Sequence, residues 1–257
     1  EKVVGQRLGT ASFDVEIAGS GTAGTAPRWG RCLRACGFGE TIVAATSVTY
    51  TPASANIIGL SLDFNADGNR HLFTGCRGTA TINLAVGEIG KISFEFTGIY
   101  NAAAKGTPLT PSFANQATPV AVNSQNTTGV TAFGFSSCME SFSLELNNET
   151  PFRQLAGCTQ RVPIVQRAPS GEIVIEAPLI GSGAGEKDFF ALVSAQTLGA
   201  IGWQHGQTAG NIVTYNASTC NLGSPSLPDS DGVQMLGLPF MPVPSSAGND
   251  EFSLVLT

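Results

Sequence analysis

Along most of this chain apolar and polar residues alternate with a period of two. Phe13/Val15/Ile17, Leu60/Leu62/Phe64, Ala80/Ile82/Leu84, Ile92/Phe94/Phe96, Phe142/Leu144/Leu146, Ile173/Ile175 and Phe252/Leu254/Leu256 each skip one position. Successive side chains of a strand point to opposite faces, so the pattern predicts antiparallel strands with one buried and one solvated face. Asn65-Ala66-Asp67-Gly68-Asn69 and Asp229-Ser230-Asp231-Gly232 fall between such runs. Gly, Asn and Asp accept the left-handed backbone of a tight hairpin, so both stretches predict turns. The expected fold class is mainly β.

Two segments break the alternation. From Pro27 to Cys36, Trp29, Cys32, Leu33 and Cys36 fall at i, i+3, i+4 and i+7, with Arg28, Arg31 and Arg34 on the other side. This is the stripe of an amphipathic helix, with Thr25 as N-cap, Pro27 in the first turn and Gly37 as the left-handed stop. A second helix is predicted over Asp188 to Gln196, burying Phe189, Leu192 and Val193.

Sliding the chain along itself by 82 residues lays VTYTPAS at 48 over VTAFGFS at 130 and SLDFN at 61 over SLELN at 143, and pairs Gly75-Cys76 with Gly157-Cys158. Such self-similarity predicts two tandem β-modules, 1–115 and 116–257, each with a short flanking helix. The join, Asn101 to Val130, is too long for an ordinary turn. In an assembling protein such a loop is expected either to reach a neighbour or to be disordered.

Composition narrows the function. The 257 residues could bury one large or two small cores, and only 12% are charged. A low-charge, glycine-rich surface suits a protein packed against copies of itself, because permanent interfaces are depleted of charge. A net charge of −6 lacks the basic footprint of a nucleic-acid binder. An acidic conduit, however, would repel phosphates and let them slide, since neutralisation by Lys and Arg drives non-specific binding. No apolar run follows EKVVGQR, and none reaches the roughly 18 residues of a membrane span, so neither secretion nor anchoring is expected. Cys32, Cys36, Cys76, Cys138, Cys158 and Cys220 are therefore expected as buried free thiols. The glycosylation triplets at Asn126, Asn148 and Asn216 carry no weight without a secretory route.

The literal chemical motifs have plainer readings. Gly19-Ser20-Gly21-Thr22-Ala23-Gly24 matches a dinucleotide-binding G-x-G-x-x-G. Its preceding strand alternates, though, and no serial βαβ units follow, so a glycine-rich turn into a helix is expected instead. Asp63-x-Asn65-x-Asp67-Gly68 imitates half a calcium loop, but Thr74 stands where a bidentate Glu is required; with its counterpart Glu145-x-Asn147-x-Glu149 it reads as a hairpin. Cys32 and Cys36 could reach a metal together with His71 and Cys76, yet they share the stripe of Trp29 and Leu33 and read as core. Neither His71 nor His205 neighbours a nucleophile motif. No enzyme activity, metal or cofactor is expected.

The run AGSGTAGTAPRWGRCLRACGFGET (Ala18 to Thr41), then VTYTP, DGNRHLFTGCRGT and FEFTGIY (Phe94 to Tyr100), resembles tail tube proteins of siphophages infecting Gram-negative bacteria. HGQTAGNIVTYNA (His205 to Ala217) and NDEFSLVLT (Asn249 to Thr257) extend the resemblance over nearly the whole chain. It departs at the front, where family members carry a further segment before the strand that here holds Ser12 to Ile17. The resemblance implies a β-sandwich or barrel-like sheet pair whose inner sheets join in a ring around a channel. Single-module members close rings of six, so a duplicated chain would close a pseudo-hexamer with three subunits. Stacked rings would form the tube of the virion, assembled in the bacterial cytoplasm with tape-measure, terminator and distal tail proteins, and double-stranded DNA would pass through unbound during ejection. Asp14, Glu16 and Glu95, alternating with apolar neighbours, are candidate lumen-facing acids. Phe113, Asn115 and Gln116 in the connector are candidate inter-ring contacts.

Three alternatives remain. A tail terminator or distal tail hub would stop at one ring. An extracellular β-sandwich binding module would have disulfide-bonded cysteines. An NAD-linked enzyme would bind the cofactor.

Overall fold

The computed structural model describes residues 5–107 and 109–257. In chain order these form β1 (Leu8–Glu16), α1 (Gly30–Ala35), β2 (Phe38–Val43), β3 (Ser47–Pro52), β4 (Leu60–Ala66), β5 (Asn69–Ala85), β6 (Lys91–Tyr100) and β7 (Ala104–Lys105). There follow β8 (Thr127–Ala132), β9 (Phe135–Ser136), β10 (Met139–Glu145), β11 (Ser170–Glu176), α2 (Phe189–Ser194), β12 (Gly199–His205), β13 (Val213–Leu222), β14 (Asp229–Ser230), β15 (Val233–Pro242) and β16 (Ser253–Leu256). The fold is mainly β.

The strands form one continuous sheet folded into two layers. The first runs β1-β6-β5-β10-β11-β15, and the second runs β2-β3-β16-β13-β12-β8-β9. β13 belongs to both: Val213–Asn216 pair with β16, whereas Cys220–Leu222 pair with β15. The layers meet through aromatic side chains. Phe142 of β10 lies 5.4 Å from Trp203 of β12 and 5.0 Å from Tyr215 of β13, centroid to centroid. Ile82, Phe94, Ile173 and Leu238 bury the same inner face. Period-two alternation produces this core, because each strand offers one apolar side to the opposite layer.

The expected strands all form, with one difference in burial. Leu60/Leu62/Phe64 lie in β4, but Phe64 is 61% exposed. β5 has 17 residues, which at about 3.3 Å each is far longer than its neighbour β10. Its Asn69–Cys76 end pairs only with β4, β6 and β7, so the β4–β5 hairpin overhangs the core. Both predicted turns are hairpin turns: Asp67 and Gly68 have φ of 44° and 78°, and Asp231 and Gly232 have 51° and 81°.

The first helix starts later than expected. It begins at Gly30 after Trp29, with no side-chain cap, so Thr25 is not the N-cap. Trp29 is instead held by its indole N–H, which donates to the Ala18 carbonyl at 2.8 Å. The stop at Gly37 (φ 90°) and the buried stripe Trp29, Leu33 and Cys36 match expectation. In α2, Asp188 caps the helix by accepting from the Ala191 N–H at 2.8 Å, and Phe189 is buried.

The 82-residue offset lays β3 over most of β8 and part of β4 over β10, but it lays all of β5 over 151–167. That stretch carries only the bridges Glu149↔Gln166 and Arg153↔Arg161. Strands from either side of residue 115 share both layers, through β5 with β10 and β3 with β16. The connector is fastened rather than free, by β7 against β5 and by the bridge Ile89↔Ala121. All six cysteines are free thiols, but not all are buried: Cys36, Cys76 and Cys220 are, Cys32 is half-buried, and Cys138 and Cys158 are exposed. The exposed pair lies where the chain leaves the layers, just before β10 and in the turn between Arg153 and Arg161.

Candidate functional site

The outer face of the first layer follows from the register. Directly opposed residues share a face, so Glu16, Lys91, Asn83, Ser143, Glu172 and Pro239 form one row across the six strands. Asp14, Ser93, Thr81, Glu145 and Ser170 form the next. Ser12, Glu95 and Thr79 begin a third, and Thr10, Thr97 and Arg77 a fourth. The neighbouring row Val15, Ile92, Ile82, Leu144, Gly171 and Phe240 points into the core.

This outer face is hydroxyl-rich and acidic. Its carboxylates are Asp14, Glu16, Glu95, Glu145, Glu172 and Glu176; its cations are Lys91 and Arg77. Among the described residues none of these carboxylates is in an ion pair. Arg77 is turned to the protein, donating to the carbonyls of Ile57 at 2.9 Å and Val162 at 3.2 Å. Such a face presents uncompensated negative charge and few cations to neutralise a phosphate.

Asp14, Glu16 and Glu95 thus share one face. Glu145 and Glu172 join them; the sequence reading passed over Glu172 and put Glu145 in a hairpin turn, whereas Glu145 ends β10 and the chain returns to the sheet only at Ser170. They alternate with Leu144, Leu146 and Ile173 just as Asp14 alternates with Phe13 and Val15, so the signal was there. Assigning them to the same face needed the pairing of β5 with β10 and of β10 with β11.

Phe113, Asn115 and Gln116 lie in the stretch that crosses the end of β1. Phe113 is 80% exposed and Asn115 has φ 58°. Arg28 Nε donates to the Ala114 carbonyl at 3.0 Å, and the Ala117 N–H donates to the Gly19 carbonyl at 2.8 Å. Phe113 and Gln116 line one cleft with Asp14, Glu16, Arg28 and Lys91. The candidate loop contacts and two of the candidate acids therefore meet at one border of the sheet, while Glu95 lies farther along β6.

That border is also a bare edge. β1 pairs with β6 along all nine of its residues, and its other side has no strand partner among the described residues. At the opposite end of the layer, β15 is covered by β14 and by bonds from Gly223 and Ser226 to its backbone. A long, free strand edge is a template for pairing with another chain.

The glycine-rich loop before α1 has a packing role. The Gly21 N–H donates to the Gly210 carbonyl at 2.9 Å, and the Gly19 N–H to Asn211 Oδ1 at 2.7 Å. A Cβ on Gly19 would strike the Gly210 carbonyl, and one on Gly210 would strike the Gly21 backbone. Close backbone approach accounts for both glycines. In the calcium-like stretch, Asp63 is engaged by Arg70 Nε at 2.6 Å, across the β4–β5 hairpin.

No individual curated protein sequence matches the chain. The model of the phage tail tube protein family matches residues 2–242, nearly the whole length, and with this acidic sheet face and bare strand edge in view, the chain belongs to that family.

Proposed function

We propose that this chain is the non-enzymatic repeating subunit of a phage tail tube, and that three copies close a pseudo-hexameric ring built from two tail-tube-like modules per chain. Rings stack helically into a tube, and the outer face of the β1-β6-β5-β10-β11-β15 layer turns inward to line the lumen. Asp14, Glu16, Glu95, Glu145 and Glu172 then face the passing DNA, and Phe113, Asn115 and Gln116 stand at a ring border. The free edge of β1 takes part in ring closure. Assembly takes place in the host cytoplasm with tape-measure, terminator and distal tail proteins.

The observation that carries this reading is the acidic, hydroxyl-rich sheet face, which is broad, has few free cations and ends in an unpaired strand. A lumen so lined repels phosphate over most of its area and, with Arg77 engaged by carbonyls, leaves Lys91 as the free cation among the described residues of this face, too few counterion-releasing contacts to arrest a duplex. Electron microscopy of purified protein, with averaged end views, tests it. Hollow rings or tubes with three subunits and six lobes are expected. A compact monomer at high concentration overturns the reading, and closed rings that never stack would favour a terminator or hub.

A further inference from the structure

The segments β1 to β3 and β11 to β13 run through one order of elements: strand, glycine-rich loop, six-residue helix, strand, strand. Residues recur with them. Glu16 and Glu176 end the first strand, Gly19-Ser20-Gly21 and Gly181-Ser182-Gly183 sit in the loop, and Val48-Thr49-Tyr50 and Val213-Thr214-Tyr215 lie in the last strand. Tyr50 and Tyr215 are both fully buried. In the first layer β1 and β11 run in the same direction, and the next strand along the layer, β6 or β15, is antiparallel to each.

The two loops differ in what they touch. The first docks, through Gly19 and Gly21, on Gly210 and Asn211 in the turn between β12 and β13. The second lines a cleft with the β8–β9 turn and α2 and has no close backbone partner outside itself at its glycines: an added Cβ on Gly181 or Gly183 meets only Glu186, and one on Gly185 meets nothing. Four residues separate Glu176 from Gly181 where two separate Glu16 from Gly19, and of these Leu179 and Ile180 are 74% and 68% exposed. By element order, the counterpart of the β12–β13 turn is the β2–β3 turn, Ala44–Thr46. One side of that turn backs onto Gly24 of the same chain, but its residues are exposed, and beside it Ile42 and Val43 are 52% and 50% exposed.

We infer that the Leu179–Gly185 loop docks on the β2–β3 turn of a second copy, repeating between chains the contact that the Gly19 loop makes within one. The inference rests on the ring reading above. Loop and turn are different patches of one chain, so the contact is heterologous and propagates around a ring. Neither Leu179–Gly185 nor Ile42–Thr46 carries a charge, and the one carboxylate against the loop, Glu186, already accepts from the Gly183 N–H at 2.9 Å, so docking strips water chiefly from apolar side chains. Leu179 and Ile180 supply apolar area where the docked first loop relies on backbone hydrogen bonds.

Two experiments on the full chain test this. With the exposed Cys138 and Cys158 changed to serine, Ser182→Cys and Ala44→Cys are combined and treated with a short bis-maleimide. Covalent dimers and trimers are expected from the double variant and none from either single variant. Rings in the microscope without cross-links overturn the docking site but leave the tube reading intact, whereas protein that forms no ring overturns both. The second variant, Leu179→Asp with Ile180→Asp, alters only exposed side chains and should melt as the parent does. It is expected to raise the concentration for half-assembly at least about tenfold, the equivalent of ~1.4 kcal/mol; unchanged assembly overturns the inference.

Discussion

His205 is 2% exposed, with Nδ1 2.8 Å from Thr127 Oγ1 and Nε2 3.2 Å from the Val120 carbonyl. Burial lowers its pKa from the ordinary imidazole value, and the Val120 carbonyl only partly offsets this. The unfolded chain therefore binds a proton before the native one does. Stability from this residue is complete above about pH 6.5 and is lost as pH falls towards the lower native pKa. Denaturant midpoints measured from pH 7.5 to 5 should drop on the acid side, and His205→Gln should flatten that slope at some cost at pH 7.5. Thiol chemistry divides along similar lines. Burial pushes Cys32 up to about 11 and Cys220 up to about 12, and it raises Cys36 and Cys76 as well. In native, unreduced protein a thiol reagent should label Cys138 and Cys158 quickly, and the other four only after denaturation. Asn148 shows how little of a side chain's role its triplet conveys: Nδ2 donates to the Cys36 carbonyl at 2.7 Å and the Gly78 carbonyl at 3.0 Å, tying the end of α1 to β5. Asn148→Ala should cost roughly 1–3 kcal/mol, read from chemical denaturation.

Strands were legible because alternation states which face is buried before any partner is known. Phe142, for example, reads as inward-facing from Leu144 and Leu146 alone. What it packs on, Trp203 and Tyr215, belongs to strands whose pattern is blurred by glycines and polar residues. Phe142→Ala should therefore cost about 3–5 kcal/mol, because it opens a cavity at the junction of both layers. Helix ends were less legible: Thr25 and Pro27 satisfied local start rules, but burial of Trp29 and its bond to Ala18 moved the start to Gly30. The glycine-rich loop was read correctly as a turn, yet its partner was invisible in sequence, because Gly210 lies nearly two hundred residues away. Gly210→Ala adds a Cβ against the Gly21 backbone at a φ of 85°. It should destabilise by at least about 1–3 kcal/mol from backbone strain alone, a drop of several degrees in Tm. The same pairing information was missing for the acidic face, where Glu145 and Glu172 became neighbours of Asp14 and Glu16 only through the central strands.

For the molecule as a whole, the acidic face makes a prediction independent of ring geometry. Glu95→Lys with Glu145→Lys replaces repulsion by two phosphate-binding cations on a sheet that has little else to offset them. The parent should show no retention of duplex DNA at 50 mM salt, whereas the double variant should bind weakly and lose that binding steeply by 200 mM, as counterion release requires. Equal behaviour of the two proteins would argue that this face does not meet DNA. β13 has a different consequence, a mechanical one. Its first residues are bonded into one layer and its last into the other, so the two layers are joined by covalent backbone as well as by side-chain packing. Sliding one layer over the other would have to stretch that backbone, whereas an ordinary sandwich resists only with its core contacts. In the proposed tube, a wall made of such subunits should be stiff against shear while its strand edges remain the compliant seams, so that a load from inside is taken up between subunits before it reaches their cores.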